Sequence, residues 1–95
     1  MIQMTQVLVQ AKGFDLTEAL ENACQEGAEK LLKYDSVLEK AEFFLSGSSK
    51  RGFCAKLKLA RAGKDLFFEY RAKNDLYQII KEVGKKAKEK LSEFR

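Results

Sequence analysis

The chain has 95 residues, 45% hydrophobic and 34% charged, with a net charge of +4 and no histidine. That is the composition of one globular domain rather than a disordered chain, and no apolar run approaches the roughly 18 residues of a membrane-spanning helix. The lack of histidine removes the commonest acid/base at neutral pH and every Ser-His or Cys-His nucleophile arrangement.

The amino terminus, Met1-Ile2-Gln3-Met4, has no basic region leading into an apolar stretch and a cleavage site. No signal peptide is expected, and the expected location is cytoplasmic. Residues 4–11 then alternate, with Val7, Val9 and Ala11 on one face and Gln6, Leu8 and Gln10 on the other. This predicts a strand. Gly13 follows as a turn residue. Thr17 stands where a helix N-cap belongs, with Glu18 and Glu21 in the first turn, where the helix dipole favours negative charge. Capping explains Asp15, Glu18 and Glu21 without any catalytic role.

From Thr17 to Tyr34, Leu20, Cys24, Leu31 and Tyr34 recur at helical spacing, joined by Ala23 and Ala28. The small residues Ala23, Gly27 and Ala28 would let this helix approach a sheet closely. Asp35-Ser36 ends it. Residues 39–46 read as a strand with Ala41, Phe43 and Leu45 on one face and Lys40, Glu42 and Phe44 on the other. The stretch from Ser46 to Gly52 reads as a flexible, basic turn. Gly47-Ser48-Ser49-Lys50 lacks the GxxxxGK[ST] spacing of a phosphate loop.

Residues 53–73 read as a hairpin turning at Ala62-Gly63-Lys64-Asp65. Phe53, Ala55, Leu57 and Leu59 with Leu66, Phe68, Tyr70 and Ala72 form its apolar face. Its other face is expected to be basic. Asn74-Asp75 supplies the next N-cap, and a helix is predicted from about 75 to 92 with Tyr77, Ile80, Gly84, Ala87 and Leu91 as its buried stripe. The order β-α-β-β-β-α, with two amphipathic helices needing one apolar sheet face, predicts an α+β two-layer sandwich on a four-stranded mixed sheet. The last three strands would form a meander after a crossover through the first helix. Residues 1–95 are expected to form a single domain.

The charge is unevenly placed. Residues 1–49 carry four basic and eight acidic residues, whereas residues 50–95 carry fourteen basic and six acidic ones. Such asymmetry suits a polyanionic partner; a solvated lysine surface or an anionic membrane surface would explain it as well. Two candidate surfaces follow. On the last helix, Lys81, Lys85 and Lys88 fall on one flank of the buried stripe and Lys86 and Lys90 on the other, with Glu82, Glu89 and Glu93 between them. Lysines along a helix can track phosphates, although Glu82 with Lys86 and Lys85 with Glu89 are also ordinary i,i+4 pairs. On the open face of the sheet, Lys56, Lys58, Arg71 and Lys73 would lie with Lys40, Phe44 and Phe67. Basic residues among aromatics suit RNA, while a solvated face or an oligomer interface built on Phe44 and Phe67 fits the same residues. Arg61 and Lys64 near the hairpin tip are further candidate phosphate contacts.

Cys24 and Cys54 form no CxxC pair, and without histidine they cannot close a zinc shell. They read as small apolar residues, since a reducing cytoplasm disfavours a disulfide. No spacing assembles a pocket of convergent carboxylates, so no enzyme activity and no cofactor is expected.

Three segments carry a resemblance to a known family. The helix lead-in Phe14-Asp15-Leu16-Thr17-Glu18-Ala19-Leu20, the helix end Lys30-Leu31-Leu32-Lys33-Tyr34 and the segment Asn74-Asp75-Leu76-Tyr77-Gln78-Ile79-Ile80 resemble bacterial ribosome hibernation factors. These are the hibernation-promoting factor and ribosome-associated inhibitor A family, also known as sigma-factor modulation proteins. The resemblance spans nearly the whole chain. It implies a fold similar to double-stranded RNA-binding domains. It also implies binding to ribosomal RNA of the small subunit, in the channel used by messenger and transfer RNA, which blocks initiation and protects idle ribosomes. Carried over by position, Lys81, Lys85, Lys86 and Lys88 would be the main phosphate contacts, Asp75 a cap and Tyr77 a core anchor. The chain departs from the family in its first helix, where Glu21, Asn22, Glu26 and Glu29 stand in place of frequent basic residues. That shifts the expected binding onto the last helix and the sheet. Ending at Arg95, the chain reads as the short form, without the C-terminal dimerisation domain of the long forms. The rival expectation is a protein-interaction module that self-associates or docks a regulator through Phe44 and Phe67.

Overall fold

In the computed structural model, residues 6–94 are described. Residues 4 and 5 of the first expected strand lie outside them. The elements run β1 (Gln6–Lys12), α1 (Glu18–Tyr34), β2 (Leu38–Ser48), β3 (Gly52–Arg61), β4 (Lys64–Ala72) and α2 (Leu76–Ser92). They build one four-stranded sheet in the order β1-β2-β3-β4. β1 pairs parallel to β2, and the two later pairings are antiparallel. The two-layer, mixed-sheet architecture is the one the sequence predicts. A parallel β1–β2 pair needs a crossover, and α1 supplies it.

Register turns the alternating pattern into a core. Val9, Phe43, Leu57 and Phe68 align across all four strands, and Ala11, Leu45, Ala55 and Tyr70 form the next row. α1 covers β1 and β2, and α2 covers β3 and β4. Both helices send apolar side chains into one cluster centred on Phe43, Leu57, Leu59, Ile79, Val83 and Leu91. The open face of the sheet is left without a second layer. Among the described residues, no helix is long and apolar enough to cross a membrane.

The helix starts follow the cap chemistry. Leu20 N donates to Thr17 Oγ1 at 3.2 Å, and Gln78 N donates to Asp75 Oδ1 at 3.0 Å. Each bond satisfies an otherwise orphaned helix N–H and stabilises its helix by about 1 kcal/mol.

Three local expectations need correcting. First, the loop after β2 is short: pairing continues through Gly47↔Phe53 and Ser48↔Gly52, so only Ser49, Lys50 and Arg51 turn. Gly47 makes this possible, because at φ 109° a Cβ would run into the backbone of Gly52 and Phe53. Second, the β3–β4 connection is only Ala62-Gly63, with Arg61 paired to Lys64. Both residues have positive φ, 52° and 82°, the type I′ pattern that matches the sheet twist. Third, the α2 stripe is rotated from the expected one. Leu76, Ile79, Ile80, Val83, Ala87 and Leu91 are buried, whereas Tyr77 is 49% exposed and Gly84 is half-buried. Tyr77 is therefore not a core anchor; Leu76 takes that role.

Candidate nucleic-acid interface

The lysines of α2 divide into two sets with different surroundings. Lys81, Lys85 and Lys88 face the seam with α1. There Ala23, Gly27 and Leu31 of α1 meet Ile80 and Gly84 of α2, and the small residues leave a groove of about 500 Å³. Lys30 and Glu26 of α1 and Tyr77 of α2 complete its rim. Lys30 was not among the expected contact residues. Its signal in the sequence is its helical spacing from Ala23 and Gly27, which puts it on the same face of α1.

The cations of this groove are largely unneutralised. Lys30 and Lys81 take part in no ion pair among the described residues. Lys85 Nζ lies 3.7 Å from a Glu82 carboxylate oxygen, but its side chain is 65% exposed, and such a surface pair contributes about 0–1 kcal/mol. Lys88 Nζ stands 5.1 Å over the Tyr34 ring, a contact that keeps its charge.

Lys86 and Lys90 lie on the opposite flank. Lys86 Nζ donates to the Glu69 carbonyl oxygen at 2.9 Å and sits 5.6 Å from the Tyr70 ring centre. Lys90 pairs with Glu93 at 3.2 Å. The expected Glu82–Lys86 and Lys85–Glu89 pairs are replaced by these i,i+3 and cross-element contacts. Four lysines read together as phosphate contacts thus split three to one, with Lys86 apart from Lys81, Lys85 and Lys88.

On the open sheet face, part of the expected basic charge is met by carboxylates. Register sets Lys56 opposite Glu69 and Lys58 opposite Glu42. Lys58 Nζ lies 3.8 Å from Glu42 and 3.7 Å from Asp65, and Lys40 Nζ lies 3.5 Å from Glu42. Phe44 and Phe67 flank a depression of about 480 Å³ here with Lys56 and Lys58, and Lys58 sits 6.0 Å from the Phe67 ring centre. Arg71 is exposed on this face, across from Cys54. Lys73 follows the end of β4, beyond the paired strand.

Arg61 is also not a free phosphate contact. Its Nε donates to Asp35 Oδ2 at 2.7 Å, and its guanidinium lies 4.4 Å from the Phe94 ring centre. Asp35 is buried, with its backbone N–H on Leu31 O at 2.8 Å and its Oδ1 accepting from Val37 N at 3.0 Å. This clamp ties the end of α1 to the end of β3 and the residues after α2.

Both cysteines are buried and free. Burial, then the nearby Glu21, pushes the Cys24 thiol up to about 12. Burial, then its contact with Glu69, raises the Cys54 thiol, and Cys54 Sγ donates to Glu69 Oε2 at 3.5 Å. Both are therefore thiols at neutral pH, without the activation of a nucleophilic cysteine. Among the described residues, no cluster of His, Cys, Asp or Glu could hold a metal ion.

Residues 7–95 match the model of the family described as sigma 54 modulation protein / S30EA ribosomal protein. The chain belongs to this family. Its members are ribosome-associated factors rather than enzymes, and the family indicated by the Phe14–Leu20 and Asn74–Ile80 segments is the one found. Among solved structures, the S30EA chain is similar to a ribosomal subunit interface protein from Coxiella burnetii. The TM-score is 0.84 at 12% identity, over 95% of this chain and 97% of that one. It is also similar to the N-terminal domain of Protein Y from Thermus thermophilus. There the TM-score is 0.82 at 19% identity, over 97% of this chain and all of that one (100%). At these identities the likeness is one of fold. No curated protein matches the sequence. In this S30EA member the Asp75-Leu76-Tyr77 segment serves two surfaces: Asp75 caps α2, Leu76 enters the core, and Tyr77 opens onto the lysine-rimmed groove.

Proposed function

We propose that this S30EA protein is a ribosome hibernation factor. It binds ribosomal RNA of the small subunit in the messenger and transfer RNA channel, so that translation is held off while the ribosome is idle. The observation that carries this reading is the row of exposed lysines, Lys81, Lys85 and Lys88 with Lys30, along the α1–α2 seam, where Lys30 and Lys81 form no ion pair among the described residues and Lys85 meets Glu82 in a solvent-exposed pair. Family membership and the ribosomal interface protein among its fold relatives support the partner.

RNA helices are recognised chiefly through backbone and shape, and a lysine row on a rigid helix is suited to that. Lys81, Lys85 and Lys88 make the principal phosphate contacts. Lys86, Lys56, Lys58, Arg71 and Lys73 contribute less: Lys86 and Lys58 are engaged locally, and Lys56, Arg71 and Lys73 lie outside the seam. The protein acts in the cytoplasm, as one ribosome-binding domain over residues 1–95, without a membrane, cofactor or small-molecule substrate in this role.

Co-sedimentation with isolated small subunits across a salt series tests the reading. Stoichiometric binding should weaken linearly in log salt, with a slope near −0.7 to −0.9 for each phosphate neutralised. Absence of binding at low salt contradicts the reading.

A second reading, docking of a protein on the open sheet, is favoured by one observation: Phe67 is 71% exposed. It predicts that Phe44→Asp with Phe67→Asp dissolves a self-associated or docked species that the α2 lysines do not affect.

A further inference from the structure

The α1–α2 groove has more than its lysines. Its floor is apolar and made shallow-walled by small residues: Ala23 and Gly27 from one helix, Gly84 from the other. A Cβ built on Gly84 meets nothing within 4 Å, so the space above it is open. Tyr77 stands half-exposed on the rim, and three α2 lysines and Lys30 surround the opening with Glu26 as the one carboxylate lining it. A purely phosphate-tracking surface needs neither a concave apolar floor nor an aromatic ring.

The volume narrows the ligand. About 500 Å³ lies within the roughly 300–1,000 Å³ range of small-molecule sites. The ligand must therefore be small, carry a flat apolar part for Tyr77 and the glycine floor, and carry several negative charges for the lysines.

We propose that the α1–α2 groove binds a nucleoside polyphosphate, its base against Tyr77 and the Gly27/Gly84 floor and its phosphates on Lys81, Lys85 and Lys88. Base–aromatic stacking is tolerant of base identity, so the site takes more than one base. Binding stands independently of the ribosomal role. One consequence rests on that role: the same three lysines are assigned to ribosomal RNA, so a bound nucleotide competes with the ribosome for the protein.

Calorimetric titration of the purified chain with GTP, ATP, inorganic tripolyphosphate and guanosine tests the site. Saturable 1:1 binding of GTP and ATP is expected, with tripolyphosphate at least about tenfold weaker because it lacks the stacked base and guanosine weaker still. Gly84→Leu fills the groove while leaving every charge in place, and leucine is the better helix former. It should weaken GTP binding about tenfold or more, with an unchanged circular dichroism spectrum. Tyr77→Ala, at a half-exposed position, should do the same and serves if Gly84→Leu does not fold. Tripolyphosphate binding as tightly as GTP, GTP binding unaffected by either variant, or no saturable binding of GTP or ATP would each overturn the proposal. None of these results bears on small-subunit co-sedimentation, and loss of co-sedimentation would leave the titrations standing, so the two readings fail separately.

Discussion

The open sheet and the helical seam carry similar numbers of cations, yet they present different surfaces. On the sheet, several lysines lie near carboxylates: Lys56 stands opposite Glu69 in register, Lys58 lies between Glu42 and Asp65, and Lys40 lies beside Glu42. At the seam, no pairing rule matches residue to residue across two helices. Lys81 and Lys30 stand there unpaired among the described residues, and Lys85 keeps its head in solvent. Charge counted along the chain is therefore a poor guide to charge in space. A sheet with alternating signs tends to neutralise itself, while a helix flank accumulates whatever its spacing collects.

The largest expected effect concerns a cation that belongs to neither surface. Arg61→Ala takes the guanidinium away from the buried Asp35 carboxylate, which should cost about 3–5 kcal/mol of stability. Chemical denaturation should show the loss, and a cost below about 1 kcal/mol would mean that the clamp is an ordinary surface pair. The next effect lies beneath the α1 flank. The Cys24 thiol ionises near 9 when unfolded and only near 12 when folded. Its contribution is fully present below pH 9 and is lost as pH rises toward 12, at up to about 1.4 kcal/mol per pH unit. Cys54 shifts in the same direction. Cys24→Ala should flatten this alkaline loss, and an unchanged slope would place its origin elsewhere.

A paired substitution then separates the two surfaces directly. Lys58→Met should cost about 0.5–1 kcal/mol, because it leaves the half-buried Glu42 with less compensation, and it should barely alter the salt dependence of ribosome binding. Lys81→Met should leave stability within about 0.5 kcal/mol and lower the salt slope by about 1. The reverse assignment would show the sheet to be the binding face. The smallest effect is at the hairpin: Ala62 holds φ at 52°, where asparagine is better suited. Ala62→Asn should raise stability by about 0.5–1 kcal/mol with binding unchanged.

Much of the fold was legible because its signals are local. Val7, Val9 and Ala11 alternate, Phe53 to Leu59 alternate, and Thr17 and Asp75 sit where caps must sit. The rotation of α2 was harder to read. Leu76 and Tyr77 are adjacent and both apolar enough to anchor a stripe, and the choice is made by packing against β3, β4 and α1 rather than by spacing. The extension of β2 through Gly47-Ser48 was hidden because glycine and serine read as loop, although a close backbone approach is what requires glycine there. Of the site, the grouping of Lys81, Lys85 and Lys88 follows from 100° per residue. The ion pairing of Lys58 with Glu42 does not follow from composition, since it depends on which residue of β2 pairs with which of β3. Lys30 and Arg61 depend on contacts between elements distant in sequence, and the Asp35–Arg61 pair spans 26 residues.

The most direct test of the account sets the two surfaces against each other on the ribosome. Small-subunit co-sedimentation would be compared for Lys81→Glu/Lys85→Glu/Lys88→Glu and for Lys56→Glu/Lys58→Glu/Arg71→Glu at the same salt, each variant first verified as folded. The account predicts a loss of about a hundredfold or more in affinity for the seam variant and less than about tenfold for the sheet variant. Equal losses, or a larger loss from the sheet variant, would contradict the assignment of RNA binding to the α1–α2 seam.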